Sequence, residues 1–182
     1  DWYHYFGDFQ ANLLVEGFYT KLSDPFVLTP PVKAPDGSAY LIQTRINGSG
    51  AKVYGGTLEG KIAYKDKVQL QAGLTLQRSI YDSPEEWSAD EEHLSEKERS
   101  SNKILRTPNV YGYFTATCTP VKAFSIALNG NYTGRMYVPH LLSEVNGEAD
   151  VLVKSPDFFE FGTKMAYDID FQGFCLQLNA GV

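Results

Sequence analysis

Eight stretches of the chain alternate in polarity with a period of two, and the connections between them alternate strictly between short and long. The stretches are 1–6, 10–22, 40–64, 68–82, 109–119, 123–138, 158–170 and 174–182. Short, turn-like links stand at 7–9, 65–67, 119–122 and 170–174; long ones stand at 23–39, 83–108 and 139–157. In an up-and-down antiparallel sheet this order puts every tight turn at one end and every long loop at the other. Membrane-spanning barrels of the outer-membrane type have that asymmetry. A Greek-key sandwich has no reason to sort its loops in this way.

The strand faces agree with that reading. Val68, Leu70, Ala72, Leu74 and Leu76 fall on one face of their strand, with Gln69, Gln71, Gly73, Thr75 and Gln77 on the other. Period two means a strand rather than a helix, but it does not say which face meets water. In 53–64, Tyr54, Leu58, Ile62 and Tyr64 lie opposite Val53, Thr57, Glu59 and Lys61. In 124–138, Phe124, Ile126, Leu128, Tyr132, Met136 and Val138 lie opposite Ser125, Asn129, Asn131, Thr133 and Arg135. Aromatic residues gather toward the ends of the apolar faces (Tyr54, Tyr64, Phe124, Tyr132, Phe174), as interfacial girdles require. A soluble sandwich carries the same local alternation, so both readings stand on these residues alone. If the apolar faces meet lipid, then Gln69, Gln71, Glu59, Lys61 and Arg135 face the lumen.

Composition closes off some classes. A net charge of −6 with a pI near 5.0 argues against nucleic acid as a partner. No apolar run approaches the ~18 residues of a membrane helix, which leaves a barrel open because its strands need only about ten. The segment 84–100 is rich in Glu, Lys and Arg but lacks an apolar stripe, and reads as a solvated loop. Cys118 and Cys175 lie in strand-like runs without C-x-x-C spacing, which fits packing or a disulfide rather than metal or redox chemistry. His4, His93 and His140 are far apart and flank no ligand set, and no nucleophile motif is present. We therefore expect no enzyme, no catalytic residue, no metal site and no cofactor. The residues best placed to meet a ligand are Trp87, His93, Arg106, Tyr137 and His140, all in or beside the long loops.

At 45–64, Arg-Ile-Asn-Gly-Ser-Gly-Ala-Lys-Val-Tyr-Gly-Gly-Thr-Leu-Glu-Gly-Lys-Ile-Ala-Tyr, the sequence resembles the barrel of a TonB-dependent outer-membrane receptor. An Asn/Gly-rich bend, a small residue and a glycine leading to a glutamate carry the likeness, here Asn47, Gly48, Ala51, Gly56 and Glu59. It continues through 15–27, 68–77, 104–122, 131–141, 158–171 and 176–182, so it covers nearly the whole chain. The resemblance implies a later portion of the barrel, with about eight of its strands in 1–182 and the plug domain and final strands lying elsewhere. It implies a receptor in the outer membrane of a Gram-negative bacterium that imports a scarce nutrient such as a ferric siderophore, haem or cobalamin. The implied partners are outer-membrane lipid, a small-molecule nutrient or metal chelate, and the TonB complex acting through the plug. The chain opens on the strand-like Asp1–Phe6 and stops inside another strand at 176–182, which fits an excised piece. The alternatives are a small closed eight-stranded barrel, in which 174–182 pairs with 1–6, and a soluble β-sandwich module for an apolar or carbohydrate ligand.

Overall fold

The computed structural model describes residues 1–38 and 40–182; Ala39, at the end of the expected loop 23–39, lies outside them. Chain order begins with β1 (Trp2–Phe6) and β2 (Phe9–Leu22), then the short β3 (Phe26–Leu28), β4 (Val32–Lys33), β5 (Leu41–Ile42) and β6 (Arg45–Asn47). Next come β7 (Ala51–Tyr64), β8 (Val68–Glu86), helix α1 (Glu96–Arg99), β9 (Ser100–Lys103), β10 (Val110–Val121) and β11 (Phe124–Thr133). The chain ends with β12 (Tyr137–His140), helix α2 (Ser143–Asn146), β13 (Val151–Lys154), β14 (Phe158–Phe171) and β15 (Phe174–Gly181). Eight of these strands form one antiparallel meander in the order β1-β2-β7-β8-β10-β11-β14-β15. The protein is all-β, an up-and-down partial barrel.

The expected sorting of turns is met. Gly7 (φ 60°), Lys65 (φ 47°) and Gly173 (φ 99°) take left-handed conformations in tight turns at one end. The three long connections all leave the other end. Among the described residues β1 pairs with β2 and β15 with β14, but not with each other, so the meander is an open arc. This corrects the closed eight-stranded alternative, which needs 174–182 hydrogen-bonded to 1–6.

Register fixes which side chains share a face. One lateral row joins Asn12, Lys61, Gln71, Thr115, Asn129 and Gly162. The neighbouring row, on the opposite face, joins Ala11, Ile62, Leu70, Ala116, Leu128 and Thr163. On the second face no Asp, Glu, Lys or Arg stands between the row of Tyr19 and Tyr54 and the row of Phe9 and Tyr64. Those two rows are ten residues apart on β7, roughly 34 Å along the strand.

Exposure runs opposite to that of a soluble sheet. Leu70, Leu74 and Leu76 are 43%, 45% and 55% exposed, whereas Thr75 and Ser79 on the polar face are only 7% and 5% exposed. Aromatic rings band the turn end of the apolar face: Phe9 packs on Tyr64 at 4.7 Å and Phe171 on Phe174 at 4.7 Å. On the polar face Tyr113 lies over Gly73, where a Cβ would come within 2.5 Å of its ring. The Tyr113 hydroxyl accepts from Gln71 Nε2 at 2.9 Å.

The long connections are folded rather than loose. β3 pairs with β6 and β4 with β5, so the expected single strand 40–64 is broken at Gly48–Gly50, where Gly50 has φ 100°. β8 runs on to Glu86 and pairs with β9, and β12 pairs with β13. The segment 83–108 is thus no simple solvated loop. Its Trp87, Ser88 and Asp90 are 8%, 0% and 5% exposed: Asp150 of the next connection bonds Ser88 and Asp90, and Trp87 is held within its own connection by Glu98 and Arg99.

Candidate functional site

Two of the long connections are joined by a buried polar knot. Ser88 Oγ donates to Asp150 Oδ2 at 2.6 Å and accepts from Asp90 N at 3.0 Å. Asp150 N donates back to Asp90 Oδ2 at 3.1 Å, and Asp150 Oδ1 accepts from Ser143 N at 2.9 Å. His93 closes the knot, with its backbone N and its Nδ1 at 3.1 and 2.9 Å from Asp90 Oδ1. Burial is the largest influence on both carboxyls and opposes their ionisation. The hydrogen bonds from Asp150 N and His93 outweigh it at Asp90, and those from Ser88 and Ser143 outweigh it at Asp150, so both sit below the ordinary carboxylate range. Bonding to Asp90 raises His93 above the usual imidazole value. Beside the knot, Trp87 Nε1 donates to the Glu98 carbonyl at 3.0 Å, and the Glu98 carboxylate accepts from Ser95 N and Oγ at 3.0 and 2.6 Å.

The knot holds serine, histidine and aspartate without the connectivity of a nucleophilic triad. Among the described residues Ser88 and His93 share no hydrogen bond, and the serine hydroxyl is fully buried against a carboxylate. No group of three or more His, Cys, Asp or Glu side chains among the described residues is gathered to hold a metal ion. The free thiols Cys118 and Cys175 sit on β10 and β15, separated by two strands.

Two clefts open among the folded connections. The larger, about 470 Å³, draws Leu28 and Pro30 from the first connection, Trp87 and Arg106 from the second and Pro139 from the third, so all three meet there. The smaller, about 380 Å³, is lined by Arg78, Ser79, Lys103, Arg135, Tyr137 and Lys154 among others. Of the residues singled out from sequence, Trp87 and Arg106 therefore share one cleft, and Arg135 and Tyr137 share the other. Arg106 has φ 54° and donates its backbone N to the Tyr137 carbonyl at 2.8 Å. His93 belongs to the knot, and His140 ends β12 opposite Val151 without lining either cleft. Gln69, Gln71, Glu59 and Lys61 share the polar face of the wall, as the alternation requires. Arg135 stands beyond the last wall residue of β11 and holds Asp157 Oδ1 through Nε at 2.8 Å.

Sequence reasoning missed Ser88 and Asp150, and also Arg78, Lys103 and Lys154. Residues 88 and 150 are 62 positions apart with no shared motif, and only the neighbouring placement of two loops brings them together. Arg78 carried a signal, because it is the first charge to break the apolar face of 68–76.

No protein-family model matches the chain, and no curated protein matches it. Among solved structures, the chain is similar to the copper transporter OprC, with 16% identity and a TM-score of 0.59. The likeness covers 98% of this chain and 23% of that transporter, so the chain spans less than a quarter of its length. At this identity the shared property is the fold: an antiparallel strand wall running in one direction around a barrel.

Proposed function

We propose that this chain forms part of the wall and mouth of an outer-membrane uptake receptor in a Gram-negative bacterium. The observation that carries the reading is the inverted wall of β8: leucines about half exposed on one face, and the Thr75 and Ser79 hydroxyls covered on the other. Exposing a band of Leu, Val, Ile and Phe to water forfeits roughly 1.5–3 kcal/mol per side chain, whereas lipid accepts them without loss. The fold-level likeness to a copper transporter supports a transport role. The meeting of all three connections at one cleft supports this reading, and we assign ligand entry to that cleft. The transported class is a small molecule or metal chelate, and import is driven through a plug coupled to the TonB complex. The protein catalyses no reaction.

The test is behaviour in detergent. The full-length polypeptide that carries this chain is expected to fractionate with outer membranes, to need detergent for solubility, and to migrate faster on gels before heating than after. A full-length form that stays monodisperse in buffer without detergent would sink the proposal.

A further inference from the structure

In a chain of net charge −6, the smaller cleft collects four cationic side chains, Arg78, Lys103, Arg135 and Lys154, and no Asp or Glu lines it. Asp157 neutralises Arg135, while Arg78, Lys103 and Lys154 have no carboxylate partner among the described residues. Lys103 Nζ sits 4.0 Å from the centre of the Tyr137 ring and Lys154 Nζ 5.4 Å from the same centre. The two ammonium groups are thus within about 10 Å of each other, close enough to repel at low salt. The ring's negative face tempers that repulsion but leaves both charges uncompensated.

We propose that this cleft binds a multiply charged oxyanion, a carboxylate- or phosphate-bearing group, with Arg78, Lys103 and Lys154 supplying the field and Tyr137 donating a hydrogen bond. An oxyanion supplies what the site lacks: negative charge for three cations and an acceptor oxygen for the Tyr137 hydroxyl. The volume is that of a small-ligand site rather than a crevice for one water. The Tyr137 phenol itself registers the field. Lys103 is the main cause that pulls it below its ordinary value, with Lys154 adding to the effect and burial opposing it. A group that gains from being negative at this point is chemically the kind of occupant the cleft favours. Arg135, already held by Asp157, is a spare cation rather than a primary one. This charge class deepens the uptake reading above and rests on it only for where the anion comes from.

Calorimetric titration of the full-length polypeptide in detergent, with citrate and with inorganic pyrophosphate, tests the site. Both are expected to bind, and raising salt from about 20 to about 200 mM is expected to weaken binding several-fold. The Lys103→Gln/Lys154→Gln double variant is expected to lose roughly a hundredfold in affinity, and Lys103→Arg/Lys154→Arg to retain most of it. Lys21→Gln, on the wall, serves as a charge-matched control and is expected to bind as the parent does. A second arm replaces the soluble probes with micelles containing phosphatidylglycerol. If only this arm responds to the double variant, the oxyanion is a lipid headgroup; if only the first does, it is a soluble ligand. Equal binding by parent and double variant in both arms overturns the proposal. Gel heat-modifiability of each variant shows whether it is folded. Failure of the parent protein to bind either oxyanion while still assembling in the outer membrane counts against this site and leaves the uptake reading intact.

Discussion

The strand wall and the mouth above it bury opposite kinds of side chain. Along the wall, Leu58, Leu70, Leu74 and Leu176 are 51%, 43%, 45% and 45% exposed, and the covered positions of β8 are Thr75 and Ser79. In the mouth, the best-buried residues are Ser88, Asp90 and Asp150, with Trp87 packed beside them. Among the described residues the buried apolar side chains are only Ala34, Ala51 and Trp87, and none of them lies between the Tyr54 and Tyr64 rows of the wall. The wall therefore holds itself by its ladder and turns its apolar side chains outward. The mouth meets water and holds itself by hydrogen bonds that water cannot reach. The two regions should respond to different perturbations.

The strongest way to break this comparison is to put a charge on each face of the wall. Leu74→Arg, near the middle of the apolar band, is expected to cost about 2–4 kcal/mol in the bilayer and to abolish the heat-modifiable, protease-resistant form. Gln71→Arg, three residues away on the polar face, is expected to assemble normally. Equal tolerance of the two substitutions would mean that the faces are not divided between lipid and lumen.

Cutting the knot probes the mouth alone. Asp150→Ala removes the acceptor of both Ser88 Oγ and Ser143 N and leaves buried donors unpaired, a loss of about 2 kcal/mol. Hydrogen exchange should rise in 87–95 and 142–150 and stay unchanged in β8 and β10 below Leu76. Increased exchange throughout the wall would show that mouth and wall fold as one unit.

How much of this was legible in the sequence follows the same division. Wall strands depend on local alternation and on turns of two or three residues, so the eight strands of the meander and the shared polar face of Gln71 and Lys61 could be read directly. The mouth depends on contacts of long sequence separation. Asp90 looked like one more charge in the run of Glu85, Glu86, Glu91 and Glu92, because its partner lies in another loop. Arg135 looked like the last lumen residue of a strand 123–138, whereas Gly134 lies past the end of β11 and the arginine turns to Asp157. Alternation predicts a face only as far as the ladder lasts.

Acidity separates the regions more gently. His93 is raised by Asp90, so its contribution is complete below the ordinary imidazole value of about 6.5 and fades as pH rises through the raised one. Asp90 and Asp150 are lowered, so theirs is complete above about 4 and fades as pH falls through the lowered values. The mouth is expected to be tightest between roughly pH 4 and 6.5 and to loosen on the alkaline side first. The Trp87 emission, taken as the difference from Trp87→Phe, should shift to the red above that window, and His93→Gln should remove the alkaline shift. An alkaline shift of the same size in His93→Gln would assign it to another group.

The smallest effect sharpens why burial, not bond length, sets the worth of a polar contact here. At the turn end Lys65 Nζ lies 2.8 Å from Asp8 Oδ2, a contact about as short as that of Ser88 with Asp150. The Lys65 and Asp8 side chains are 49% and 56% exposed, so water and salt compete for both. The turn also keeps its bond from Lys65 N to the Asp8 carbonyl at 3.0 Å, which a side-chain change leaves in place. Asp8→Asn is expected to change the denaturant midpoint by less than about 0.5 kcal/mol, and less still at high salt. Ser88→Ala, which strands a buried carboxylate and the Asp90 N–H, is expected to cost about 1–3 kcal/mol locally. If Asp8→Asn proved as costly as Ser88→Ala, the contrast between a wetted turn and a dry mouth would fail at its simplest point.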